Sequence, residues 1–180
     1  MAYRTFLAAA AAIGIGSATA AQAQDCMAVM AQDPQLSGFV GALSRTGQAD
    51  LLRQVGPFTV LAPTNDAIGR IPTSIHNDLF GSTVMDDIDP VRAPAVLNAQ
   101  IVDGKHPASE ARGRERSVFR TRNGNELIVQ RGDDDRYTLI PGAGGFGVGG
   151  TRRIEPARVL RADIPCSNGV IHVVDRVLVP

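Results

Sequence analysis

The chain has 180 residues, 44% of them hydrophobic and 20% charged, and its 18 basic and 18 acidic side chains cancel to zero. That length is enough for one domain with a real core and too little for two. A balanced charge supplies no field to draw in nucleic acid or an acidic membrane, so neither is expected as a partner.

Residues 1–23 carry Arg4 in a short basic start, an apolar stretch over 6–15, and small residues closing at Ala21-Gln22-Ala23. This is the pattern of a secretory signal peptide cleaved after Ala23. The apolar stretch is well short of the roughly 20 residues a spanning helix needs, so no membrane span is expected. Residues 24–180 are read as a single domain, exported to the periplasm or the outside of the cell. Cys26 and Cys166 are the two cysteines. In an exported chain an even count favours a disulfide, and closing so long a loop is worth at most about 5 kcal/mol in the chain-entropy model. A reactive thiol is the competing reading.

From residue 27 to 52 the apolar positions recur at helical spacing, broken by Pro34 and Gly47, which predicts two or three short helices. Gly56-Pro57 then turns into a buried-type strand over 58–62. Thr64 is placed to cap the helix that follows, with Asp66 in its first turn, where the helix dipole favours a carboxylate. Two more short helices are expected, over 73–80 and from Asp89-Pro90 to Gln100, the last with Val91, Val96 and Leu97 inward. After Gly104 the period changes to two. Strands over 117–122 and 125–130 are joined by Asn123-Gly124, a two-residue hairpin signal, and a third returns over 136–140. A glycine-rich run at 141–150 leads to a strand over 157–164. Residues 168–180, NGVIHVVDRVLVP, begin with a turn expected to need positive φ and continue as a β-branched run apolar enough to be a central strand. Helices, one strand, helices, then several strands argue for an α+β domain.

Two stretches, GPFTVLAPTNDAI and ADIPCSNGVIHVVDRVLVP, resemble the two signature motifs of the fasciclin domain family, in the right order and about a hundred residues apart. The resemblance covers essentially all of 24–180. It implies a sandwich-like wedge of β-sheets flanked by short helices, in a secreted or surface protein that mediates adhesion rather than catalysis. It places the family's adhesive Asp-Ile on Asp163 and Ile164. The family's Tyr-His pair falls on Ala99-Gln100, a departure that removes both the aromatic ring and the imidazole.

His172 lies between Ile171 and Val173 and reads as a satisfied core histidine, and neither His76 nor His106 has zinc-site spacing with it. No metal or other cofactor follows from the sequence. Residues 142–147 satisfy GxGxxG, but no helix pattern opens there to receive a pyrophosphate, so a glycine-rich loop is the reading. Arg131-Gly132-Asp133 spells an integrin-type tripeptide at an expected hairpin tip, where Gly132 and the acidic residues also make an ordinary solvated turn. Asp86, Asp87 and Asp89 lack the spacing of a calcium loop. Arg112, Arg114, Arg116, Arg120 and Arg122 share one parity, so along one strand they would line a face suited to the anionic groups of a polymer. A solvated edge that deters sheet pairing uses the same pattern. No nucleophile with a base is evident, and the chain is not read as an enzyme.

The expected function is adhesion to a protein or polysaccharide of a cell surface or matrix, with Asn65, Asp66, Asp163 and Ile164 as binding residues and Arg120 and Arg122 facing an anionic polymer. The alternative is a soluble binding protein for a small or anionic polymeric ligand, with a groove between helices and sheet lined by Phe39, Phe80 or Phe146.

Overall fold

The computed structural model of the chain describes residues 24–80, 88–132, 136–142 and 156–179. Residues 1–23, where the sequence predicts a signal peptide, Asp86, Asp87, Asp133, Phe146 and most of the glycine-rich run fall outside these residues.

Three short helices open the described chain: α1 (Cys26–Ala31), α2 (Ser37–Arg45) and α3 (Gln48–Arg53). Asp25 starts α1 by accepting the Ala28 amide at 2.7 Å. Pro34 begins the short 3-10 turn that precedes α2, and Gly47 at φ 74° reverses the chain between α2 and α3. Strand β1 (Phe58–Pro63) is buried along its whole length. Thr64 then caps α4 (Asn65–Gly69) through the Ala67 amide at 3.1 Å. Helices α5 (Thr73–Phe80) and α6 (Arg92–Ala99) follow. The strands after them are β2 (Ile101–Asp103), β3 (Arg116–Arg120), β4 (Glu126–Arg131), β5 (Tyr137–Pro141), β6 (Ala157–Cys166) and β7 (Gly169–Val174).

The strands form one seven-stranded sheet in the order β2-β1-β7-β6-β5-β4-β3, with β1 parallel to β7 and the other neighbours antiparallel. Its two edges meet where Val102 bridges to Thr121 and the Arg122 amide reaches the Ile101 carbonyl at 2.8 Å, so the wedge is one sheet curled back on itself. The expected α+β class and central last strand are both present.

All six residues of β7 are buried, and they serve two cores by alternation. Ile171 and Val173, with Val60 beside them on β1, pack on Phe39, Leu43 and Leu52 of the helices. Val174 and Leu61 point the other way, into the curl, with Val102, Leu127 and Leu139. Full burial of such side chains is worth about 1.5–3 kcal/mol each, which is why the all-apolar strand takes the interior position. The Cys26–Cys166 disulfide is formed, with Cα atoms 4.9 Å apart, and ties α1 to the end of β6.

Four local expectations are corrected. The final strand stops at Val174, and Asp175-Arg176 bend away before Leu178 re-enters the inner core. The turn at Asn168-Gly169 uses no positive φ. Gly169 is required instead by close approach, since a Cβ there would lie 2.1 Å from the Phe58 carbonyl oxygen. Between β3 and β4 only Gly124 has positive φ, and the Thr121 amide donates to Asn125 across a three-residue loop rather than a two-residue one. Val91 is 69% exposed, because Asp89 accepts the amides of Val91 and Arg92 and so starts α6 one residue after that valine.

Candidate functional site

Strand β6 loses register with β7 between Arg161 and Ile164. The interruption holds Asp163 at φ 59°, which makes it the one described non-glycine residue with positive φ. Aspartate tolerates this region because its short polar side chain can bond locally, and here three bonds surround it. The Asp163 amide donates to His172 Nδ1 at 3.2 Å, and Asp163 Oδ1 accepts the Ala108 amide at 2.8 Å. Since His172 Nδ1 accepts, its proton sits on Nε2, which donates to the His106 carbonyl at 3.0 Å. Burial holds the His172 imidazole below its ordinary value of 6.5, outweighing the His106 carbonyl and the Asp163 carboxylate, which favour the charged form.

These bonds fasten the strap of residues 104–111 across the end of the curled sheet. Thr59 Oγ1 donates to the Gly104 carbonyl at 2.7 Å and accepts the His106 amide at 2.9 Å. His106 Nδ1 faces Glu110 Oε2 at 2.8 Å, while its ring lies 4.8 Å from that of Phe119. Tyr137 donates its hydroxyl to the Ala108 carbonyl at 3.0 Å. Asp163 is therefore exposed on a turn fixed from two sides.

The other expected residues are dispersed. Ile164, next to Asp163, is half-buried against the helix-side core. Asn65 accepts the Gly38 amide at 2.9 Å and donates to the Pro34 carbonyl and to Ser37 Oγ, which anchors α4 to the start of α2. Asp66 is exposed in the first turn of α4. Arg120 is exposed on β3 opposite Glu126. Arg122 binds Asp103 Oδ1 at 2.6 Å and lies 5.8 Å over the Phe58 ring. Asn65 follows one end of β1 and Arg122 sits at the other, separated by a strand of about 20 Å.

The arginine stripe is also corrected. Residues 108–111 make a 3-10 turn, so Arg112 and Arg114 precede β3, and only Arg116 and Arg120 share its outer face, with Val118 between them. Phe39 is 1% exposed inside the helix-side core, Phe146 lies outside the described residues, and nothing is described of the Phe80 side chain.

One residue with a clear role escaped the sequence reading. Gln100 is fully buried, and its amide grips both sides of Leu178: Nε2 donates to the Leu178 carbonyl at 2.6 Å and Oε1 accepts the Leu178 amide at 3.3 Å. An amide placed where the family has its histidine thus clamps the chain after β7. Its signal was a polar side chain set between Ala99 and the apolar pair Ile101-Val102.

Among the described residues no group of three or more His, Cys, Asp or Glu could hold a metal, and no helix is long and apolar enough to cross a membrane.

The chain is similar to protein sll1483 of Synechocystis, 28% identical over 92% of this chain and 79% of that protein. It is 28% identical to human periostin over 82% of this chain, which spans only 15% of periostin. In fold it resembles a FAS1 domain pair of the insect cell adhesion molecule Fasciclin I, with a TM-score of 0.68 at 18% identity over 87% of this chain and 51% of that one. The fasciclin domain family matches residues 34–180, so the two motifs, the curled sheet and this match together make the chain a member of that family.

Proposed function

We propose that this chain is an exported surface-interaction module that binds a macromolecular partner, a protein or polysaccharide of a cell surface or matrix, through the Asp163 turn. Residues 1–23 direct the export, and the chain binds rather than catalyses. The observation that carries the reading is the backbone of Asp163. A non-glycine residue at positive φ is sustained only where its surroundings over-determine it, and such positions concentrate at sites that present a side chain. Here His172 and Ala108 supply that determination, and the residue they hold is exposed. Ile164 supports the turn from the core side, while Asp66 and Arg120 are further exposed charges that a large partner would meet. Engagement at a single turn is weak, so a repetitive partner surface, bound at many points, fits best.

The test is solid-phase binding of the purified protein to cell envelope, to matrix proteins and to polyanions. The comparison variant is Asp163→Asn, which keeps the acceptor for Ala108 and tolerates the backbone but removes the charge. Binding should saturate and weaken about tenfold in the variant, equivalent to about 1.4 kcal/mol. Equal binding by both proteins would move the site away from this turn. Salt-sensitive binding lost only in Arg120→Ala/Arg122→Ala would place it at β3 and make the partner an anionic polymer. Failure to bind any surface would end the adhesion reading.

A further inference from the structure

On their outer side β1 and β7 are covered by the helices, through Val60, Ile171 and Val173. Further out, on β5 and β6, the side chains that alternate with the inner core are Thr138, Ile140 and Arg158, and these are exposed or half-exposed. Where this barer stretch meets Arg70, at the end of α4, an open cleft of about 460 Å³ is lined by Arg70, Thr138, Pro156, Arg158, Asp175 and Arg176.

Its backbone is held in place. The Asp175 amide donates to the Arg158 carbonyl at 3.1 Å, and Asp175 Oδ1 accepts the Arg158 amide at 2.7 Å. This reciprocal pair fixes the start of β6 against the end of β7, and it commits the Asp175 carboxylate to the main chain. The guanidinium groups of Arg70 and Arg158 have no hydrogen bond or ion pair among the described residues. Three guanidinium groups against one carboxylate leave the described lining with a surplus of two positive charges, in a chain whose net charge is zero.

That surplus selects the ligand's charge. A phosphate monoester carries about −1.5 to −2 at neutral pH and offers three terminal oxygens, which arginine forks bind through paired N–H bonds. A carboxylate or a sulfate ester brings only one charge. The Thr138 hydroxyl adds a further donor. Size selects the rest, because 460 Å³ falls within the range of about 300–1,000 Å³ usual for small-molecule sites. At about 30 Å³ per water such a space holds about fifteen waters, so a bare phosphate ion leaves most of it empty. No aromatic side chain is among the described lining residues to stack a base, and Pro156 is the one apolar residue there. Beyond Thr138 the outer face continues in register to the exposed Gln130 of β4, another polar side chain.

We propose that this cleft binds a phosphate monoester with a hydroxylated body, the size of a sugar phosphate. Arg70, Arg158 and Arg176 hold the phosphate, and the body lies over Thr138 towards Gln130. The site stands five residues along β6 from Asp163 and does not depend on what that turn binds.

The experiment is calorimetric titration of the purified protein with glucose 6-phosphate, glucose 6-sulfate, glucose and inorganic phosphate. Glucose 6-phosphate should bind saturably, at least tenfold more tightly than the sulfate ester or inorganic phosphate, and glucose should not bind. Arg70→Gln/Arg158→Gln alters two exposed side chains and should weaken glucose 6-phosphate at least tenfold. Arg53→Gln removes a charge from the end of α3, beside the opposite end of β7, and should leave the affinity unchanged. No saturable binding of glucose 6-phosphate, equal binding by the double variant, or an equal loss in Arg53→Gln would overturn the site. A sulfate ester bound as tightly would overturn the charge assignment, and inorganic phosphate bound as tightly would overturn the hydroxylated body.

Discussion

Asn168 does more than its place in a turn suggests. Its Oδ1 accepts the Cys26 amide at 2.9 Å, its Nδ2 donates to the carbonyls of Leu52 and Gln54, and its own carbonyl accepts the Phe58 amide. The side chain thus joins the start of α1 to the end of α3, and the main-chain carbonyl adds the start of β1. Asn168→Ala removes three side-chain hydrogen bonds at about 1 kcal/mol each and should lower stability by about 3 kcal/mol in a denaturant titration. A loss below about 0.5 kcal/mol would show that water replaces all three. A turn-forming Asn-Gly is legible in sequence, but the reach of its side chain to two other segments is not, because those partners are 114 to 142 residues away. Asp163 repeats the lesson: the family motif marks the residue, while its positive φ arises from a break in register that depends on the pairing of β6 with β7.

At the scale of elements, what periodicity could reveal was largely revealed. The short helices, the Thr64 cap and the central place of β7 all follow from apolar spacing and capping chemistry that act over a few residues. The arginine parity failed for the same reason it was attractive, since alternation has meaning only along one continuous strand, and the 3-10 turn of the strap interrupts that strand before Arg116. Nor could sequence show that the strap is clasped by β6 and β7. That clasp makes stability depend on pH. His172 is held neutral in the folded protein, with Nδ1 accepting an amide, but it takes up a proton freely once unfolded. The unfolded state therefore binds more protons below pH 6.5, so the stabilisation is complete above that value and is lost as pH falls through the lower folded pKa. The thermal midpoint should decline as pH drops from 6.5, and His172→Gln, which has no titrating group, should abolish that slope whatever its baseline. An unchanged slope in the variant would assign the effect to another group. Asp33 and Asp89 act separately and lower: their carboxyls are held below 3.8, by Arg161 and by the α6 amides respectively, so their contributions fade only as pH falls past that value.

Taken whole, the molecule is a sheet with two interiors that share the wall formed by β1 and β7. The helix-side interior was anticipated by the amphipathic spacing of residues 27–52. The inner one was not, because it exists only once the sheet curls far enough for Val102 to meet Thr121. No single strand carries a pattern that announces closure, and only the alternative reading placed a groove anywhere, between helices and sheet.

The parallel pairing of β1 with β7 sets Phe58 against Gly169, a closure across more than a hundred residues of chain. Contacts so distant in sequence are slow to form, since the entropy of a long loop is lost before any contact rewards it. The Cys26–Cys166 link anchors the same region and removes most of that search beforehand. Oxidised protein should therefore refold faster than reduced protein in stopped-flow experiments, by about tenfold or more, whereas equal rates would mean that the two strands meet only after the transition state. The crosslink would then serve as a guide to assembly as much as a brace for the finished fold, and the redox state of the compartment would set how quickly the protein becomes active there.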